Sequence, residues 1–152
     1  MVCPDYDNNY AIASTNSYNL QNCSPNIEDS GKTFAFKIAK LNGAIQLAEA
    51  KITSNCETTL PISAMANSGK IKFVLVKPNS NVERIKEIVA KKSNSFSGDI
   101  TIACLKDTNI IKVVGSSYDD EFKISQKKNT LFQYSTDRMG EKFPFGRRSV
   151  CQ

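Results

Sequence analysis

Short runs in which every second residue is apolar, each closed by turn-forming residues, most constrain what this chain can fold into. Phe34, Phe36 and Ile38 alternate with Ala35, Lys37 and Ala39, the period-two pattern of a strand with one face in a core. Asn42-Gly43 suits a hairpin and pairs that run with one through Ile45 and Leu47. Leu41, Ile45, Ala48 and Ile52 also fall at helical spacing, but the Asn-Gly turn favours the strand. Leu60, Ile62 and Ala64 alternate again, with Pro61 confining them to an edge or a bulge. Lys70–Val76 is the clearest strand, and it ends at the turn cluster Pro78-Asn79-Ser80-Asn81. Residues 82–92, with Ile85, Ile88 and Val89 at helical spacing, are the one good helical candidate, an irregular strand through Val82 and Ile85 being the alternative. Ile100, Ile102 and Cys104 alternate, Asp107-Thr108-Asn109 turns, and Ile110–Val114 closes at Gly115. Tyr118–Ile124, with Phe122 and Ile124 inward, is the last strand.

About seven short strands, with turn signals roughly every 8 to 15 residues, predict an all-β fold, a small antiparallel β-sandwich with flexible termini. A parallel α/β sheet would need a helix between strands, and one stretch at most could supply it. The sandwich is expected over residues 32–126. Residues 1–31, rich in Asn, Ser, Asp and Tyr, read as a polar N-terminal tether, disordered or loosely docked. Residues 127–152 lose the alternation and read as a basic C-terminal extension.

The 152 residues include neither His nor Trp. The side chain that most often serves as general base or metal ligand near neutral pH is therefore absent. The net charge of +5 is unevenly spread. Residues 1–31 hold four acidic groups and no Lys or Arg, whereas Lys123, Lys127, Lys128, Arg138, Lys142, Arg147 and Arg148 outnumber Asp137 and Glu141 in the last thirty residues. No apolar run approaches the ~20 residues that cross a bilayer as a helix. The N-terminus shows neither a basic n-region nor an apolar h-region, so the chain is expected to be cytosolic or a mature form without its export signal.

Five cysteines, Cys3, Cys23, Cys56, Cys104 and Cys151, lie too far apart in sequence for a C-x-x-C redox or zinc motif. They are either idle thiols of a reducing compartment or disulfide partners. In the second case Cys3 is the natural odd one out, and Cys23, Cys56, Cys104 and Cys151 allow three connectivities. Ser30-Gly31-Lys32-Thr33 copies the end of a phosphate loop, but the first glycine is replaced by Asn26 and a strand, not a helix, follows. Ser125-Gln126-Lys127-Lys128 matches S-x-x-K without its partner motifs. Asp119-Asp120-Glu121 offers oxygens to calcium, yet consecutive strand residues alternate faces, so a solvated turn is the simpler reading. No metal and no cofactor is expected. In the tail, Lys142, Arg147 and Arg148 with Phe143 and Phe145 could lie on an anionic surface, the cations against phosphates or headgroups and the rings inserted.

Gly69–Asn79, followed by Asp107–Gly115 and an inward Phe122, resembles a group of small secreted or lipid-anchored β-sandwich proteins of clostridia and relatives, of unknown function. That group has a G-K-x-K-apolar-V-L-V-x-P strand, a turn, and an N-x-I-K-apolar-V-G strand. The resemblance covers roughly Thr33 to Ile124 and transfers a fold, not a site. Asp107 and Thr108 stand where such proteins usually have a Gly, and the basic tail has no counterpart. The resemblance implies that Cys3, ahead of a polar Asn/Ser-rich stretch, is the lipid-modified residue of a mature lipoprotein. The expected function is a non-catalytic extracytoplasmic or cell-surface binding module for a protein or surface ligand. The alternatives are a cytoplasmic protein that binds nucleic acid or another anionic partner through its tail, and a carboxylate-based hydrolase.

Overall fold

The computed structural model describes residues 6–14, 18–28, 32–92, 94–126 and 131–134. These contain one short helix, α1 (Asn9–Ser14), and nine strands: β1 (Tyr18–Asn19), β2 (Asn22–Glu28), β3 (Thr33–Ile52), β4 (Cys56–Met65), β5 (Ser68–Val76), β6 (Val82–Val89), β7 (Ser95–Cys104), β8 (Asp107–Ser125) and β9 (Gln133–Tyr134). All pairings are antiparallel.

Two long strands organise the fold. β3 and β8 pair from Thr33↔Ser125 to Ile52↔Asp107. β2 attaches to the first half of β3, β4 pairs Ile62–Ala64 with the second half of β8, and β7 lies outside β4. At the other end β5 pairs with the first half of β8 and carries β6, while β1 and β9 edge the second half of β3. The β3–β8 register slips between Ile38 and Leu41, Leu41 and Gly43, and Gln46 and Ala48. Bulges bend a strand and increase its twist, so the continuous sheet folds over into the two layers of a β-sandwich.

The bend corrects two expectations. Asn42-Gly43 is not a hairpin turn, and Gly115 does not end a strand; both lie inside long strands where the ribbon turns its corner. Lys40, Gly43, Gly69 and Ser117 have positive φ here, conformations that cost an ordinary L residue free energy. The corner is braced in return. Asn42 Oδ1 accepts from the Ser117 amide at 3.0 Å. The Asp119 carboxylate accepts from the Lys40 amide at 3.3 Å and from Ser68 Oγ at 3.4 Å. The Tyr118 hydroxyl, on a fully buried ring, donates to the Met65 carbonyl.

Between the layers the aromatic positions of the alternating runs meet. Phe122 on β8 packs edge-on against Phe36 of its neighbour strand at 5.7 Å and against Phe73 of the opposite layer at 5.1 Å. Phe34 stacks on Tyr134 at 5.2 Å. Residues 82–92 do not form the helix their spacing suggested. Val82–Val89 is strand β6, because β5 offers an unpaired edge and the register shift between Phe73 and Val74 absorbs the irregular spacing around Ile85.

Where it is described, the N-terminal stretch expected to be a tether forms α1, β1 and β2, with Tyr6, Ile12 and Cys23 buried. β2 continues the first layer, and residues 6–14 lie on the outer face of the second. Tyr6 and Ile12, 3% and 1% exposed, join Ala44, Val74, Val76 and Val114 in a second apolar cluster. This explains why Val74 and Val114, on the side facing away from the main core, are buried. Asn8 caps α1, its Oδ1 accepting from the Ala11 amide at 3.1 Å. Tyr6 donates to Glu87 Oε2 at 2.8 Å, Lys70 and Lys72 sit over its ring, and Lys72 Nζ lies 3.6 Å from Asp7. Burial first, and then the Glu87 hydrogen bond and charge, push the Tyr6 phenol well above its ordinary range.

Candidate functional site

The end of the sandwich where β3 and β5 finish and β8 begins carries a cleft of about 770 Å³, lined by Ala13, Lys51, Ile52, Thr53, Val76, Lys77, Pro78, Ser80, Lys106, Asp107, Thr108 and Ile110. A hollow of about 490 Å³ continues it along α1, sharing Ala13, Lys77 and Ser80 and adding Asn9, Tyr10, Ser14, Asn81, Val82 and Glu83. The turn expected at residues 78–81 contributes to this cleft, and so do Asp107 and Thr108, which correct the turn expected at 107–109: these residues open strand β8 and pair with the end of β3, and the chain reverses at Leu105-Lys106 instead. Docking of α1 supplies the remaining wall.

The loops are held rigidly. Lys77 and Asn81 close a turn through Lys77 N to Asn81 O at 2.9 Å and Ser80 N to Lys77 O at 2.8 Å, and Asn79 Oδ1 accepts from the Asn81 amide at 3.1 Å. Across the cleft the buried Asn109 side chain donates to the carbonyls of Leu105 at 2.7 Å and Asp107 at 3.2 Å, and accepts from the Leu105 amide at 3.2 Å. Asn55 Oδ1 accepts from the Lys106 amide at 2.7 Å and joins the β3–β4 and β7–β8 turns. Ser80 and Asp107 both adopt positive φ, 68° and 92°. Such strain persists where the surroundings over-determine it, and functional sites are a common location.

Three ammonium groups face this cleft, with Asp107 its one carboxylate among the described residues. Lys77 is held by Glu83, Nζ to Oε1 2.9 Å. Lys51 and Lys106 have no ion-pair partner among the described residues. Tyr10, 81% exposed, presents its ring over the adjoining hollow. Hydroxyls of Thr53, Ser80 and Thr108 complete a lining suited to an anionic, hydrogen-bonding ligand. Sequence reasoning had no route to this site. Its lysines come from three separate strand ends, and what brings them together is the shared end of the β3–β8–β5 ladder.

Of the residues singled out from sequence, Cys3, Lys142, Phe143, Phe145, Arg147, Arg148 and Cys151 lie outside the described residues. Cys23 on β2 is in a disulfide. Cys56 and Cys104 are free thiols. Asp119 and Asp120 brace the corner bend, Asp120 Oδ1 accepting from the Glu121 amide at 2.9 Å, and no cluster of three metal-ligating side chains occurs among the described residues. Thr33 opens strand β3, where a phosphate loop would need a helix. No described helix is long and apolar enough to cross a membrane.

No protein-family model matches the chain, and no curated protein matches it. Among solved structures it is similar to a family 35 carbohydrate-binding module from Paenibacillus barcinonensis, at 13% identity and a TM-score of 0.42, over 77% of this chain and 96% of that one. It is also similar to a mutant family 29 carbohydrate-binding module complexed with mannohexaose, at 13% identity and a TM-score of 0.40, over 80% and 96% of the two chains. At this level the likeness transfers neither ligand nor site to this chain.

Proposed function

We propose that this protein is a non-catalytic extracytoplasmic binding module that takes an anionic group of a surface ligand in the cleft between α1, the turn at residues 77–81 and residues 105–108. The observation that carries the reading is the pair Lys51 and Lys106, without ion-pair partners among the described residues, on a rim whose turns are locked by Asn109, Asn55 and Asn79. Turns that are already fixed need no further ordering on binding, so more of each contact appears as affinity. The Cys23 disulfide and the resemblance to secreted or lipid-anchored clostridial proteins support a location outside the cytoplasm.

Heparin is a suitable probe, because it presents sulfates and carboxylates on a polysaccharide. Binding to the full chain should weaken as salt rises, fall at least about tenfold in Lys51→Glu/Lys106→Glu, and survive deletion of residues 137–152. Absence of binding, or full retention by the double variant, would overturn the cleft reading. Loss on deletion of the tail alone would transfer the role to Lys142, Phe143, Phe145, Arg147 and Arg148, and favour the anionic-surface alternative.

A further inference from the structure

β4 and β7 form a ten-residue ribbon whose terminal pair is Cys56↔Cys104, with Met65↔Ser95 at the opposite end. Opposed residues of an antiparallel ribbon point to the same side, with Cα atoms about 4.5 to 5.5 Å apart, inside the roughly 4.4 to 6.8 Å that a disulfide spans. The side in question faces the core: Cys104 is 1% exposed, and Cys56, half-buried, packs against the same cluster. Both are free thiols. Just beyond the pair, one residue before Cys56 and two after Cys104, the Asn55 to Lys106 hydrogen bond clamps the ribbon's end, so the two thiols stay opposed. β7 has no strand on its other side among the described residues.

We propose that Cys56 and Cys104 are a dithiol site, oxidised by a low-molecular-weight disulfide to a cross-strand disulfide joining β4 to β7. The order of events follows from exposure. The Cys56 thiolate attacks one sulfur of the small disulfide; a new S–S bond forms, the old one breaks, and the departing thiolate takes up a proton from solvent. Cys104 then gives its proton to solvent and attacks Cys56 Sγ, displacing the second small thiol. Two protein thiols are oxidised and one disulfide is reduced to two thiols. Burial, reinforced by Cys56, holds the Cys104 thiol at a pKa of about 11, so Cys104 resolves the exchange and does not start it. The bond would tie together the strands that lead into the β3–β4 and β7–β8 turns of the cleft.

The test is a peptide map of the full chain incubated with oxidised glutathione, free thiols being blocked before digestion. A peptide linking Cys56 to Cys104 is expected, with both lost from the blocked pool; the same peptide in untreated protein, opened by a dithiol reductant, supports the site equally. Cys104→Ser should trap glutathione on Cys56, whereas the Cys104 thiol of Cys56→Ser should react at least about tenfold more slowly. If either variant fails to fold, the wild-type map alone decides. Both thiols still blockable after prolonged incubation, or either one linked to a different cysteine, would overturn the proposal, and neither result bears on anion binding in the cleft.

Discussion

Lys112 Nζ, on the outer face of β8, donates to the Ile12 carbonyl oxygen of α1 at 2.6 Å. A lysine 2% exposed thus helps hold the N-terminal segment against the second layer. α1 is only six residues long, too short to persist by itself. Its apolar contacts and this bond to its last turn are what position it, and with it the wall of the adjoining hollow that carries Tyr10.

Burial lowers the Lys112 pKa from 10.5 to about 8. The unfolded chain therefore holds this proton more tightly than the folded one, and the group's contribution to stability rises with pH between about 8 and 10.5. Cys104 opposes it from its ordinary value of 9.0 upward, because burial raises that thiol to about 11 and ionisation then favours the unfolded state. The clean window is therefore about pH 8 to 9. Urea unfolding should show wild type gaining on Lys112→Met across that window; a constant difference between the two would refute the assignment.

Ile12→Ala should cost about 2 kcal/mol or more, the lower end for a buried Ile to Ala change. The loss should be local, since Ile12 contacts the outer cluster and not the main core. Limited proteolysis should cut near residues 6–14 in the variant well before the sandwich is degraded, and binding through the cleft should weaken alongside.

Gly69 has a φ of 71°, and a Cβ there would lie 2.1 Å from the Ser117 carbonyl oxygen. That neighbour is backbone in a strand at the corner and cannot step aside. Gly69→Ala should therefore destabilise by roughly 3 kcal/mol, combining strain with overpacking, read as a lower urea midpoint. An unchanged midpoint would mean the corner is looser than its hydrogen bonds indicate.

Phe122→Ala should cost about 4 kcal/mol, because the ring contacts both Phe36 beside it and Phe73 across the layers. Phe96→Ala, on the edge strand and only partly buried, should cost less than half of that by the same reasoning. Comparable losses from the two would show that the layers are not joined mainly through Phe122.

How far the fold was legible depended on how local each signal was. Phe34, Phe36, Ile71, Phe73, Phe122 and Ile124 alternate in sequence and are buried in the sandwich. The runs Phe73–Val76 and Val113–Val114 carried a further signal: consecutive apolar residues in a strand mean that both faces are covered. The cover is Tyr6 and Ile12, in a segment whose polar composition argued against packing. Asn42-Gly43 misled because a left-handed glycine serves a corner bulge as well as a hairpin, and only the continuous partner strand β8 decides between them.

By itself, then, the sequence determined the all-β class, most of the strands and the residues of the main core, because period-two burial is a property of neighbouring residues. Tertiary structure alone decided that β3 and β8 run unbroken through the corner, that the N-terminal segment docks as α1, that Lys51, Lys77 and Lys106 share one cleft, and that Cys56 faces Cys104. Each of those depends on register between strands distant in the chain. A one-residue slip would turn every side chain of a strand to its other face, and register is set by the long-range packing of the whole sandwich.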